Sequence, residues 1–199
     1  MPRQSSRLLL AAAALFVTLL AGCASPPPPP QRFPEITFSG APIRLTVGAV
    51  EIVEAYTPPL TAPHIEHLMP ISPERMAARW PKDRLATAGG PLRARYTVKQ
   101  AGVTETQLPR TEGIRGAFTT DQAQRYDAVL EIALDIVDER GFAVGTVSAH
   151  VERRQSVAEN ITLAQRDEIW YGFVQGMAKD LDAELDKNIK ASLARFIVY

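Results

Sequence analysis

Alternating apolar and polar residues predict four β-strands in this chain. The alternation runs over Ile43–Val53, Leu92–Leu108, Tyr126–Val137 and Phe142–Arg153, and a period of two is typical of strands with one buried face. Asp138-Glu139-Arg140-Gly141 separates the last two strands as a turn, so these strands are expected to form an antiparallel hairpin. One polar face on each strand indicates a sheet that is covered on one side only.

Two segments have the spacing of helices. Ser72-Pro73-Glu74 predicts a helix start, because serine caps, proline fits the first position and glutamate suits the positive end of the dipole. Pro81 is expected to open the turn that follows. From about Thr162 to Leu193 apolar residues recur at every fourth position, which predicts a long amphipathic helix. The pattern leaves open a break near Lys187-Asn188.

This order of elements predicts an α+β fold. We expect an antiparallel or mixed sheet of about four strands. A short helix and a long C-terminal amphipathic helix are expected to pack on one face of it. The chain has 199 residues, of which 46% are hydrophobic, and this favours one folded domain with one core.

The N-terminus has the layout of a secretory signal. Residues 1–7 carry two arginines and no acidic residue, and Leu8–Leu20 is an uninterrupted, almost wholly apolar run. A basic start, a short apolar run and small residues before a cleavage position are the three parts of such a signal. The run is shorter than the roughly 20 residues that span a bilayer, so it is not expected to be a transmembrane helix.

Leu20-Ala21-Gly22-Cys23 resembles the lipobox of bacterial lipoproteins. The resemblance implies cleavage between Gly22 and Cys23, and a diacylglycerol thioether on Cys23, usually with acylation of the new amino group. Two or more acyl chains anchor a protein stably, whereas one binds marginally. An ordinary signal peptide with a chance cysteine is the alternative. No other cofactor is expected.

The residue after the cysteine bears on the destination. Ala24 stands where an aspartate favours inner-membrane retention in enterobacterial lipoproteins. The resemblance therefore implies the outer membrane, with the domain facing the periplasm, while an inner-membrane location stays open.

Five consecutive prolines follow the cysteine at positions 26–30. Such a run adopts an extended polyproline II conformation, so a semi-rigid stalk is expected, with a PxxP-type peptide ligand as the alternative. The predicted organisation is a signal peptide over 1–22, a lipidated cysteine and linker over 23–37, and a single domain over 38–199.

Charge and cysteine content exclude several classes of function. Removal of Arg3 and Arg7 with the signal reduces the 22 Lys and Arg residues to 20, against 22 Asp and Glu. A near-neutral mature chain gives no reason to expect nucleic-acid binding. Cys23 is the one cysteine of the sequence, so an intrachain disulfide and a cysteine-based zinc site are excluded.

Residues 56–71 contain four prolines and are expected to form a long loop, which is a candidate binding segment. The loop carries His64-Ile65-Glu66-His67. Its histidines are three apart, whereas the zinc-peptidase pattern needs them four apart on a helix, so solvated histidines are the favoured interpretation and no metal site is predicted. His150 is expected on the solvent face of a strand.

No catalytic set is recognisable, since a GxSxG motif is missing and the anchor uses the cysteine. We therefore expect a binding protein and not an enzyme; a hydrolase is the least favoured option. At the level of layout the chain resembles the auxiliary lipoproteins of envelope transport systems, which implies the membrane, envelope proteins or lipid cargo as partners. A structural lipoprotein without a small ligand is the alternative. The predicted ligand or partner surface lies between sheet and long helix, at Trp80, Leu134, Phe173 and Met177.

Overall fold

The structure is a computed structural model that describes residues 32–109, 122–158 and 160–199. Phe33–Tyr199 forms a compact unit with its own core. The elements are β1 (Ile43–Leu45), β2 (Ala49–Glu54), α1 (Pro73–Arg84), β3 (Leu85–Thr87), β4 (Arg93–Gln107), β5 (Gln122–Val137), β6 (Ala143–Ala158) and α2 (Leu163–Ser192), with 3-10 turns at Glu66–Leu68 and Ala194–Phe196.

The main sheet has four strands in the order β2-β4-β5-β6. β2 runs parallel to β4, and β4, β5 and β6 are mutually antiparallel. Both helices contribute to a single core. The Trp80 ring of α1 stacks on Tyr96 of β4 at 5.7 Å, and Trp170 of α2 meets Tyr126 of β5 at 5.9 Å. The α+β prediction with a mixed sheet is confirmed.

The predicted first strand, Ile43–Val53, is wrong as a single element. The chain leaves β1 after Leu45 and enters a different sheet at Ala49. Gly48 lies at the crossing, where its N–H donates to the Leu92 carbonyl. A Cβ on Gly48 would meet the Gly90 carbonyl oxygen at 2.6 Å, so this close approach requires glycine.

β1 belongs to a small second layer. It pairs in parallel with β3, and Leu45 also forms an antiparallel bridge with Ile197 near the C-terminus. Strand alternation alone does not reveal such a change of partner, because both halves of the segment have the same apolar period.

α1 starts as predicted and ends later. The Ser72 hydroxyl accepts the Arg75 N–H at 3.2 Å as the N-cap, whereas Pro81 lies inside the helix and not in a following turn. Pro81 lacks the N–H that would bond one turn back. The helix continues because Arg84, in its last turn, forms ion pairs with Asp182 and Asp186 of α2.

α2 is continuous over Leu163–Ser192, so no break occurs at Lys187-Asn188. A capping box starts the helix: the Thr162 hydroxyl accepts the Gln165 N–H, and the Gln165 side chain accepts the Thr162 N–H. Asn188, a weak helix former, is held because its side-chain amide donates to the Ser148 carbonyl at 2.8 Å.

β4 lies within its predicted range, whereas β5 and β6 each extend beyond one of their predicted limits. β5 begins at Gln122 and β6 ends at Ala158, where Tyr126 and Arg153 were expected. The irregularity in β4 falls between Val98 and Gln100. Gly102 of β4 lies beneath the Tyr56 hydroxyl, whose oxygen is 3.2 Å from the position that a Cβ would take.

The face of the main sheet away from the helices is polar, and we call it the solvent face. Arg95 on β4 pairs with Glu51 on β2 at 3.1 Å, and the Thr146 hydroxyl on β6 donates to Asp135 on β5 at 2.7 Å. This agrees with the one-sided sheet that the alternation predicted. His150 lies on the solvent face, as expected.

Candidate functional site

The His64–His67 loop contains a buried carboxylate, Glu66, which is 1% exposed. The Tyr56 hydroxyl donates to Glu66 Oε1 at 2.6 Å, and the Val103 N–H donates to Glu66 Oε2 at 3.1 Å. His64 Nδ1 lies 3.7 Å from Glu66 Oε1, while His67 is exposed. Tyr56, His64 and Glu66 form what we call the Glu66 cluster.

The Glu66 cluster attaches the proline-rich loop to β4. Two backbone hydrogen bonds support this attachment: the Ile65 N–H donates to the Val103 carbonyl, and the Glu105 N–H donates to the Pro63 carbonyl. Burial and the hydrogen bond to Glu66 raise the pKa of Tyr56 far above its usual range, so its hydroxyl remains a donor at neutral pH. Within the described ranges, no group of three or more His, Cys, Asp or Glu side chains is placed to hold a metal ion.

The four apolar residues predicted to form a ligand or partner surface lie in the core. Trp80, Leu134 and Met177 are 0% exposed and Phe173 is 1% exposed. Their spacing identified the contact between the sheet and the helices correctly. In this conformation, however, none of these side chains presents a surface to a ligand.

Arg84 is a buried polar centre that the sequence interpretation missed. Its guanidinium donates to Asp182 at 2.6 Å and to Asp186 at 3.0 Å, and also to the Ala41 carbonyl. The Trp80 indole N–H donates to the same Asp182 oxygen at 2.8 Å. Arg84 therefore joins α1, α2 and the segment that precedes β1.

A surface cleft of about 470 Å³ lies beside Arg84. Its lining includes Pro42, Ile43, Arg44, Lys190, Ile197 and Val198, together with Asp182 and Asp186. Its apolar walls and its mixture of charges are suited to a short extended peptide or a small amphiphile. None of Trp80, Leu134, Phe173 and Met177 lines it.

One sequence signal points to Arg84. It lies four residues after Trp80, so a helix places both side chains on the same face, and a cation on an apolar face needs acidic partners. The acidic residues of α2 offered many candidates, and spacing alone could not select Asp182 and Asp186. Gly22 and Cys23, the predicted cleavage and lipidation site, lie outside the described residues.

Among the described residues, no helix combines the length and the apolar character that a membrane span requires.

Comparison with known proteins yields little. No family model matches the chain, and no curated protein matches it. A crystal structure of a Xanthomonas campestris protein of the DUF330 family model aligns with 76% of this chain and 89% of that chain, at 12% sequence identity and a TM-score of 0.34. Overlap at that level supports no statement about function.

Proposed function

We propose that this chain is a lipid-anchored protein of the bacterial cell envelope that acts as a binding component of a transport or assembly complex. The observation that carries the proposal is Leu20-Ala21-Gly22-Cys23 directly after the apolar run. The thiol of Cys23 has no competing structural use, because the sequence holds no second cysteine. Attachment to the outer membrane, facing the periplasm, is part of the proposal.

The folded unit supports binding through its surface. Its core is filled by the side chains that a lipid pocket would have needed, Leu134 and Met177 among them. A filled core argues against an enclosed apolar ligand, because ligand pockets are open cavities lined by such side chains. The proposed role is therefore that of an interaction module. No enzymatic activity is proposed because the sequence holds no recognisable catalytic set.

A carrier of apolar cargo is the second candidate, and the cleft beside Arg84 is the observation in its favour. Pro42, Ile43 and Ile197 provide apolar lining there, and Lys190 and Arg44 provide cations for an acidic headgroup. Native mass spectrometry of residues 24–199, purified from bacteria, separates the candidates. Co-purified lipid that is lost in an Ile43→Asp variant favours the carrier, and a lipid-free mass favours the interaction module.

The anchor is tested on the full precursor in bacteria. We expect palmitate labelling and membrane fractionation of the native chain, and loss of both in Cys23→Ala. Globomycin should cause the uncut precursor to accumulate. Gly22→Ala is the matched control, because it keeps a small residue before the cleavage position and should be processed normally. Normal labelling or membrane association of Cys23→Ala would refute the anchor.

A further inference from the structure

The outer edge of β6 is only partly capped. β6 ends the strand order, so one of its sides has no strand neighbour among the described residues. Polar side chains from α2 and from the segment after it fill the first half of this side. Glu184 accepts the His150 N–H at 3.3 Å, Asn188 donates to the Ser148 carbonyl at 2.8 Å, and Arg195 donates to the Val144 carbonyl.

Among the described residues, none caps the second half of the same edge in this way. Backbone groups alternate along an antiparallel strand, so the even-numbered residues of β6 direct their N–H and C=O groups away from β5, as those of Ser148 and His150 do. Within the described residues, no hydrogen bond reaches the outward backbone groups of Glu152, Arg154 or Ser156. An open edge of this kind is a template for a further strand.

We infer that this edge pairs with the same edge of a second copy of the chain, antiparallel about a two-fold axis at Arg153. The choice of a second copy as the partner rests on the complementary charges of Glu152 and Arg154. In this register Glu152 lies opposite the partner's Arg154, and Arg154 lies opposite the partner's Glu152. Both side chains lie on the solvent face and are 73% and 71% exposed. Within its own copy Glu152 contacts His150 at 3.2 Å and Arg154 contacts Asp127, so the cross-strand pairs add a second partner to charges that already have one. The two pairs of facing residues form about four backbone hydrogen bonds.

Neighbouring registers lack this complementarity. An axis at Arg154 places that arginine opposite its own copy, and like charges directly across a strand pair are destabilising. An axis at Gln155 places Glu152 opposite the partner's Ala158, so Glu152 meets no opposite charge across the strand pair. The alternation of one acid and one base two residues apart therefore selects the axis at Arg153.

The other side of the sheet is compatible with this axis. Arg153 faces its own copy there, but its guanidinium is already paired with Asp180 on α2 at 2.9 Å. It lies flat over Gly176, where a Cβ would approach within 2.3 Å of the guanidinium carbon. The charge nearest the axis is thus neutralised within each copy. Val151, which is 4% exposed, and the half-buried Gln155 flank Arg153 on the same face.

Charge reversal tests the inference on residues 24–199, which contain the whole compact unit. Sedimentation velocity should show a concentration-dependent dimer for the native sequence. Glu152→Arg alone and Arg154→Glu alone should each weaken the dimer at least about tenfold, because both cross-strand pairs become repulsive. An equimolar mixture of the two variants should associate again, because the arginine introduced in one copy then faces the glutamate introduced in the other.

Two controls separate edge pairing from general effects. Glu139→Arg and Arg140→Glu make the same charge changes in the β5–β6 turn and should leave the dimer intact. Thermal melting of each variant shows that its domain is folded. A native protein that remains monomeric at every concentration, a mixture that fails to associate, or turn variants as weak as the edge variants would overturn the inference. The result is independent of lipidation, which residues 24–199 lack.

Discussion

Replacing Arg84 with methionine tests whether one buried guanidinium holds the two helices and the segment before β1 together. Methionine retains most of the side-chain volume and removes the charge and the hydrogen-bond donors. Asp182 and Asp186 then lose their buried partner. Asp186 keeps its ion pair with Lys190 at 2.6 Å, whereas Asp182 keeps a hydrogen bond from Trp80 and loses its cation. The stability change therefore reports mainly on Asp182.

The expected magnitude follows from exposure. The Arg84 side chain is 5% exposed, whereas Asp182 is 30% and Asp186 is 29% exposed. Breaking a fully buried pair costs about 3–5 kcal/mol, and a surface pair is worth about 0–1 kcal/mol. Partial access of water to both carboxylates places Arg84→Met between these limits, at about 2–3 kcal/mol. For a domain of this size that corresponds to a Tm lower by about 5–10 °C.

Urea unfolding of residues 24–199, followed by circular dichroism, measures the change. Arg75→Met on the same helix is the matched control, because Arg75 pairs with Glu35 and these side chains are 61% and 44% exposed, so we expect a loss below about 1 kcal/mol. Adding Asp182→Asn to Arg84→Met should recover part of the loss by removing the carboxylate that has lost its cation. Equal effects of Arg84→Met and Arg75→Met would refute the role given to Arg84.

Three further outcomes are open to measurement. Gly172→Ala should raise the free energy of unfolding by about 0.5–1 kcal/mol, because Gly172 is a helix position with open space around it. Gly145→Ala should lower the free energy of unfolding by about 1–3 kcal/mol, because its Cβ would press on two buried side chains. Reversed signs in urea titrations would contradict this packing. The carboxylates of Glu152 and then Glu131 raise the pKa of His150. The stabilisation that protonated His150 contributes is therefore complete below the ordinary histidine pKa and is lost as pH rises through the raised pKa. NMR titration of a dilute sample should show the raised pKa, and Glu152→Gln should lower the pKa of His150. Leu134→Ala should cost about 3–4 kcal/mol by calorimetry, as expected for a core leucine, and a loss below about 1 kcal/mol would contradict its full burial.

Hydrophobic periodicity was sufficient to predict the elements that depend only on residues close together in sequence. The β5–β6 hairpin, the Ser72 cap and the long apolar stripe of α2 each depend on residues close together in sequence, and each was predicted from them. The same argument explains why the core side chains were identified. Their spacing shows which face is buried, but it does not show whether the space between the layers is filled.

The errors have a common physical origin in long-range contacts. The division of Ile43–Val53 depends on the Gly90 carbonyl lying against Gly48, and the helical position of Pro81 depends on partners about a hundred residues away. Burial of Glu66 likewise requires the Val103 N–H and the Tyr56 hydroxyl. No local pattern identifies such partners, because each of these residues is individually typical of a loop or a turn.

β1 has a consequence for the order of folding. It is completed on one side by β3 and on the other by Ile197 and by the Phe196 carbonyl, which accepts the Thr46 N–H at 2.8 Å. The small layer therefore has a high contact order, and its closure must wait until residue 197 is available, while the β5–β6 hairpin can form earlier. A chain that emerges from its N-terminal end, from a ribosome or through a translocation channel, remains incompletely folded until its last residues arrive.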